Sequence, residues 1–208
     1  MALLWIAAAA APPVDAATTR EERQIQHIGP CDLDRDTWLV PLDSEPVRWA
    51  LDSGAVVVCE TPGLGYRSAA RWKGDQATWL AVAADVADWV EFLPYVIESS
   101  GGGAPDSEST AAFTLQVRGR RAVFLLNQRP LGTGLELTFT GARGSPVHTA
   151  RGAWRWSTTH PQTVLYDMDI EQRWWVPGAF MERVGREGVA RFVWEVRRHA
   201  TTKWHPRP

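Results

Sequence analysis

The sequence predicts an α+β domain in which a curved antiparallel β-sheet wraps around a long C-terminal helix. Three observations carry this. Within residues 174–200, Phe180, Met181, Val184, Val189, Phe192, Val193 and Val196 recur at three- and four-residue spacing, which makes one apolar helical face. Between residues 113 and 171, run after run alternates apolar with polar side chains, the pattern of strands with one covered and one wet face. A hairpin and a second amphipathic helix precede those runs, so the two helices are the covers available to the apolar face of the sheet.

The elements can be justified in order. Residues 1–16, MALLWIAAAAAPPVDA, have the apolar run of a secretory signal and a small-residue cleavage site at Val14-Asp15-Ala16, although no Lys or Arg stands at the start. The run is too short to span a bilayer. Residues 17–46 lack periodicity and are broken by Pro30, Pro41 and Pro46, which suits an arm packed on the domain. The domain itself is expected over 47–200, with a tail at 201–208. Asp52-Ser53-Gly54 signals a turn before the β-rich run 55–60, and residues 61–65 turn the chain into a return strand at 66–73. Asp75 can cap a helix to about Glu91 with Trp79, Val82, Ala83, Val86, Trp89 and Val90 on its apolar face, and Leu93-Pro94 stops it. A short strand at 95–100 and a Gly/Ser-rich loop at 101–110 follow.

The meander comes next. Phe113, Leu115 and Val117 share a face, as do Leu135, Leu137 and Phe139, then Trp154 and Trp156, then Tyr166, Met168 and Ile170. Residues 121–128 are apolar on both faces, which predicts a central or covered strand. Strand parity puts Glu136, Asp167, Asp169 and Glu171 on the wet face. In the last helix Pro177 suits the first turn. Gly185 and Gly188 each cost about 1 kcal/mol against Ala in a helix interior. They leave room for something lying against the helix, or mark a loose turn.

Length and composition bound the rest. The chain has 208 residues and a net charge of -2, too small to imply a nucleic-acid partner. Twelve Trp are present, a residue suited both to core filling and to pocket walls at wet-dry boundaries. Cys31 and Cys59 can pair in an oxidising compartment, or remain two buried thiols. The Gly63-x-Gly65 pair precedes a strand and has no Lys-Ser/Thr behind it, so it is no phosphate loop. No CxxC or HxxxH spacing points to zinc, and no metal or cofactor is expected.

The order of elements resembles the START-like, helix-grip (SRPBCC) superfamily of START lipid-transfer domains, polyketide cyclases and coenzyme Q-binding proteins. Trp49 followed by Gly54-Ala55-Val56-Val57-Val58 is similar to its opening strand. Residues 79–99, with Asp85, Trp89, Leu93, Pro94 and Glu98-Ser99, are similar to its helix and the strand after it. Gly152-Ala153-Trp154, Thr163-Val164-Leu165-Tyr166 and Val176-Pro177-Gly178-Ala179-Phe180 resemble the late strands and the start of the last helix. Gln172-Arg173-Trp174-Trp175 departs from the glycine-containing turn common before that helix. The resemblance covers about 47–200. It implies an apolar cavity between sheet and helix, and non-enzymatic binding or transfer of a lipid, sterol, quinone or similar molecule.

Candidate walls on that reading are Phe113, Leu115, Val117, Leu137, Phe139, Trp154, Trp156, Tyr166, Met168, Val184, Val189 and Phe192, with Tyr95 or Tyr166 offering a hydroxyl. Ordinary core is the competing role for each. A cyclase or aromatase on the same fold needs an inward acid or base with a shifted pKa. The sequence shows no GxSxG, no Cys-His pattern and no inward carboxylate pair; His27, His148, His160, His199 and His205 fall in loops or ends. A protein-interaction module with a filled core is the third reading. Export makes a periplasmic or secreted bacterial protein the expectation, with a cytoplasmic one as alternative, and transient membrane contact is compatible with a lipid ligand.

Overall fold

The computed structural model of the protein describes residues 25–31, 42–117 and 119–203. The signal-like segment 1–16, much of the arm and His205 lie outside them. One nine-stranded sheet, in the order β1-β2-β3-β9-β8-β7-β6-β5-β4, forms the body of the fold. Its strands are β1 (Ile25–Pro30), β2 (Val56–Thr61), β3 (Gly65–Arg71), β4 (Val96–Gly101), β5 (Ser109–Val117), β6 (Arg120–Leu131), β7 (Gly134–Gly141), β8 (Val147–Trp156) and β9 (Thr163–Gln172). Every neighbouring pair is antiparallel except β1 with β2, which is parallel. The long helix α4 (Gly178–Lys203) lies in the grip of this sheet, as the alternation and the helical period predict.

Two cores sit on opposite faces of the sheet. The inner face packs on α2 (Gln76–Ala84), α3 (Trp89–Phe92) and α4 around Tyr66, Trp79, Trp89, Phe113, Leu137, Trp154 and Tyr166. The outer face of β2, β3 and β9 carries Val57, Cys59, Ala69 and Leu165. It is covered by α1 (Glu45–Asp52), through Val47, Ala50 and Leu51, and by Cys31. Cys31 and Cys59 form a disulfide that ties the end of β1 to β2, with Cα atoms 5.2 Å apart. The arm therefore contributes a strand and a staple to the sheet.

Four local departures from the sequence reading have physical causes. Trp49, grouped by resemblance with the opening strand, lies on α1 instead. There Val47, Ala50 and Leu51 are spaced to bury one helical face, Pro46 suits the first turn, and Trp49 is left 66% exposed. The helix expected from Asp75 to Glu91 is broken. Asp75 caps it as predicted, accepting from Thr78 N–H at 2.7 Å, but α2 ends at Ala84 and a 3-10 turn, Val86–Asp88, leads to α3. The break is held by tertiary partners: Gln128 Nε2 donates to the Ala84 carbonyl at 3.0 Å, and Ser99 Oγ donates to that of Ala87 at 2.9 Å. In β6, Phe124, Leu126 and Gln128 point inward, and Val123 and Leu125 stand outward, 45% and 58% exposed. The strand is central in order but its outer face is uncovered, because α1 reaches only the β2–β3 end of the sheet. Asp167 does lie on the outer face, as parity predicts, yet it is buried, because Arg155 Nη1 reaches its carboxylate at 2.7 Å.

The last helix begins four residues later than its periodicity suggests. The Pro177 carbonyl accepts from the Phe180 and Met181 N–H groups and opens the first turn. Met181, Val189, Val193 and Val196 face inward as expected, and Phe180 turns out to solvent at 45% exposure. Gly185 does make room: a Cβ there would sit 2.5 Å from the Tyr66 ring. Tyr66 uses that space to donate its hydroxyl to the Glu182 carbonyl at 3.1 Å. A Cβ on Gly188 would meet open space.

Candidate functional site

Alternation along β5, β7, β8 and β9 aims the predicted wall residues at α4. Phe113, Leu137, Phe139, Trp154, Tyr166 and Val189 are buried in the inner core, and Leu115, Trp156, Met168 and Phe192 pack against it partly buried. Val184 is partly buried on α4. Val117 closes β5, with its side chain outside the described set. Tyr95 is 54% exposed and stands outside the interior, because it falls in the turn between α3 and β4 rather than on the strand.

The aromatic walls touch one another. Trp154 packs on Tyr166 with centroids 4.2 Å apart, on Trp79 at 5.4 Å and on Phe192 at 5.4 Å. Trp79 also meets Trp156 at 6.4 Å, and Phe192 meets Tyr166 at 5.3 Å. Trp89 extends the chain, at 5.2 Å from Phe192 and 5.4 Å from Phe113. Tilted and edge-to-face contacts of this kind add about 0.5–1.5 kcal/mol each beyond their buried area. Two recesses indent the surface elsewhere. One, of about 670 Å³, is lined mainly by outer-face residues including Thr110, Asn127, Thr138 and Arg151. The other, of about 450 Å³, lies between β1 and the start of α4, beside His27, Glu182 and Arg186. Neither is lined by a member of the ring cluster.

What sets this interior apart from ordinary core is its polar atoms. The Nε1–H groups of Trp79, Trp89, Trp154 and Trp156 and the hydroxyl of Tyr166 are buried and have no hydrogen-bond partner among the described residues. All belong to the one ring cluster just described. A buried donor left without an acceptor costs about 1–3 kcal/mol. Burial, and after it the Asp167 charge, pushes the Tyr166 hydroxyl well above its ordinary value, so it stays protonated and able to donate. Tyr66, at the helix side, is pushed up to about 12 by burial and then by Glu60 and Glu182.

The acids and imidazoles take other roles. Glu195 is buried on α4 but paired to Arg191 and Arg198, each at 2.8 Å. His199 stacks on Phe92 at 4.3 Å; burial, with the nearby Lys203 ammonium, holds it below its usual value rather than favouring the cation expected at a helix end. His160 meets Asp43 at 3.1 Å, His27 lines the smaller recess, and His148 is exposed. Among the described residues no group of three His, Cys, Asp or Glu could hold a metal ion. None of their helices is long and apolar enough to cross a membrane.

Sequence reasoning missed Trp79 and Trp89 as members of this cluster, and Tyr66 as its neighbour in the inner core. Trp79 and Trp89 were legible as a helix face; their meeting with Trp154 and Phe192 was not. Tyr66 had a signal in Gly185, whose missing side chain its ring fills.

A sheet gripping its C-terminal helix over an aromatic interior defines a class of fold, and comparison with known proteins names it. No family model matches the chain, and no curated protein sequence does. Solved structures do. A START superfamily protein from Mycobacterium smegmatis shares 12% identity at a TM-score of 0.54, over 66% of this chain and 97% of that one. A STAR-related lipid transfer protein from Xanthomonas axonopodis shares 17% at 0.52, over 70% and 92%. The Zhui aromatase/cyclase from a Streptomyces species shares 14% at 0.50, over 67% and 94%. The chain has the START-like, helix-grip fold.

Proposed function

We propose that this protein binds a hydrophobic molecule carrying acceptor oxygens, of the carbonyl, quinone or ester kind, in the aromatic interior between the sheet and α4, and does not transform it. The carrying observation is the set of unpartnered indole N–H groups and the Tyr166 hydroxyl inside one ring cluster. A purely packed core gains nothing from four buried indole donors; a ligand with oxygens relieves each of them while burying its own apolar area at about 25 cal/mol per Å². Entry requires rings to part. Trp156 and Phe192, partly buried members of the cluster, are the hinges of such an opening. The similar structures include a lipid transfer protein, which agrees with this reading, and an aromatase/cyclase, which needs a reactive group in the same place. Glu195, held by two arginines, does not fit that role. The disulfide favours an oxidising location, periplasmic or secreted.

The direct ring contacts favour a second reading, an interaction module whose interior is permanently full. Native mass spectrometry of the purified protein, with organic extraction and with added ubiquinone and sterol probes, separates the two. A co-purifying or captured ligand, lost on Trp154→Ala but retained in a surface variant, supports the binder. A ligand-free protein that takes up no probe supports the filled core.

A further inference from the structure

We propose that Phe192 holds the place of the ligand's ring, and that the ligand is a planar six-membered ring with oxygens on more than one edge, a quinone or aryl ketone. This rests on the binding reading above and narrows it. Phe192 lies against three rings, Trp89 with centroids 5.2 Å apart, Tyr166 at 5.3 Å and Trp154 at 5.4 Å. Each of the three carries a buried donor with no partner among the described residues. The donors arrive from different elements, Trp89 from α3, Trp154 from β8 and Tyr166 from β9. The neighbour they share is a side chain without nitrogen or oxygen. A phenyl ring accepts at most a weak N–H···π contact. A ring of the same size with carbonyl oxygens at its edges accepts from the indoles and the hydroxyl directly, in a dry site where an unmade bond is costly. The fused rings of a sterol or an acyl chain offer neither that size nor that spread of oxygens.

Phe192 is also the ring that can leave. Trp89, Trp154 and Tyr166 are at most 2% exposed, whereas Phe192 is partly buried and is carried by α4. A helical side chain leans over the turn before it. The residue four positions back is Gly188, where an added Cβ would meet nothing within 4 Å. The Phe192 ring therefore has a bay to swing into. The space it vacates, edged by the three donors, is the space the ligand's ring enters.

The test is titration of the full chain with acetophenone, with its hydrocarbon counterpart ethylbenzene, and with duroquinone. Phe192→Ala should bind acetophenone about tenfold or more tightly than the wild type does, and about tenfold or more tightly than it binds ethylbenzene. Phe192→Leu, the gentler truncation should the alanine variant not fold, is expected to shift the same way. Adding Tyr166→Phe should weaken acetophenone binding and leave ethylbenzene unchanged. Gly188→Leu fills the bay, so in the wild-type background it should slow duroquinone uptake, followed by quenching of indole emission. In the Phe192→Ala background it should not. The proposal is overturned if the Phe192 variants bind acetophenone no better than the wild type, if they do not distinguish it from ethylbenzene, or if Gly188→Leu takes up duroquinone as fast as a wild type that binds it. Wild-type binding of duroquinone with no gain in the Phe192 variants would make Phe192 a wall, and would leave the binding reading intact. A wild type that takes up none of the three compounds, beside variants that prefer the ketone, would overturn the binding reading and keep the donor-edged place that Phe192 fills.

Discussion

The two faces of the sheet are built on different principles. The outer core under α1 is made of small aliphatic side chains, Val47, Ala50, Leu51, Val57, Ala69 and Leu165, closed by a disulfide. None of these side chains carries a nitrogen or oxygen. The inner core holds the largest fully buried side chains, Trp79, Trp89 and Trp154 among them, and the indole nitrogens of Trp79, Trp89, Trp154 and Trp156 and the Tyr166 hydroxyl have no acceptor among the described residues. Aliphatic packing closes a surface at the lowest cost in polar groups; wide rings with unused donors do not. On the proposed function, the difference separates a face built for stability from one that keeps donors for a ligand.

The largest effect that would test this contrast is at its centre. Trp154 is fully buried and touches Trp79, Tyr166 and Phe192, so Trp154→Ala should cost about 3–5 kcal/mol in urea unfolding. A loss well below that would mean the ring cluster collapses easily, as an openable site should. On the opposite face, Cys31→Ser with Cys59→Ser should cost about 3–4 kcal/mol for releasing a closure across 28 residues. Ligand uptake by the folded protein should be unchanged, since the staple belongs to the other core. The helix glycines make a finer pair. Gly185→Ala drives a methyl into the Tyr66 ring and should destabilise by about 1–3 kcal/mol. Gly188→Ala meets open space and should stabilise by about 1 kcal/mol, both read as shifts in denaturation midpoint.

Tyr166→Phe then separates donor from ring. With no ligand bound it removes a buried unsatisfied hydroxyl and should raise stability by up to about 1 kcal/mol. Ligand affinity should fall in the same variant, and a stability loss would show that the hydroxyl already has its acceptor. The smallest effect is in alkali. Tyr66 ionises near 10 in the unfolded chain and only at about 12 in the folded one. Its contribution is therefore whole below pH 10 and is lost as pH rises toward 12. Tyr66→Phe should flatten that decline in pH-dependent unfolding.

Much of this architecture was legible from period alone. The meander and the inward set of Phe113, Leu137, Trp154 and Tyr166 follow from alternation, and α4 follows from three- and four-residue spacing. The strand β1 was not legible, because Gly29 and Pro30 cut a six-residue run that pairs only through tertiary contact with β2. Nor was α1, where Val47, Ala50 and Leu51 are too few to declare a period. The break after Ala84 depends on Gln128, 44 residues away. In the site, facing direction could be read from strand parity, but whether the rings meet or stand apart is set by packing between elements distant in sequence.

The parallel strand at the rim bears on how the sheet is guarded at that end. While Cys31 is joined to Cys59, β1 occupies the open side of β2, and the border of the sheet there is the short strand β1, which ends at Pro30. With the bond reduced, β1 would be held only by its pairing with β2, and loss of that pairing would expose the β2 edge to strand addition. On the proposed oxidising location, the cystine would guard that border against strand addition by a neighbouring chain.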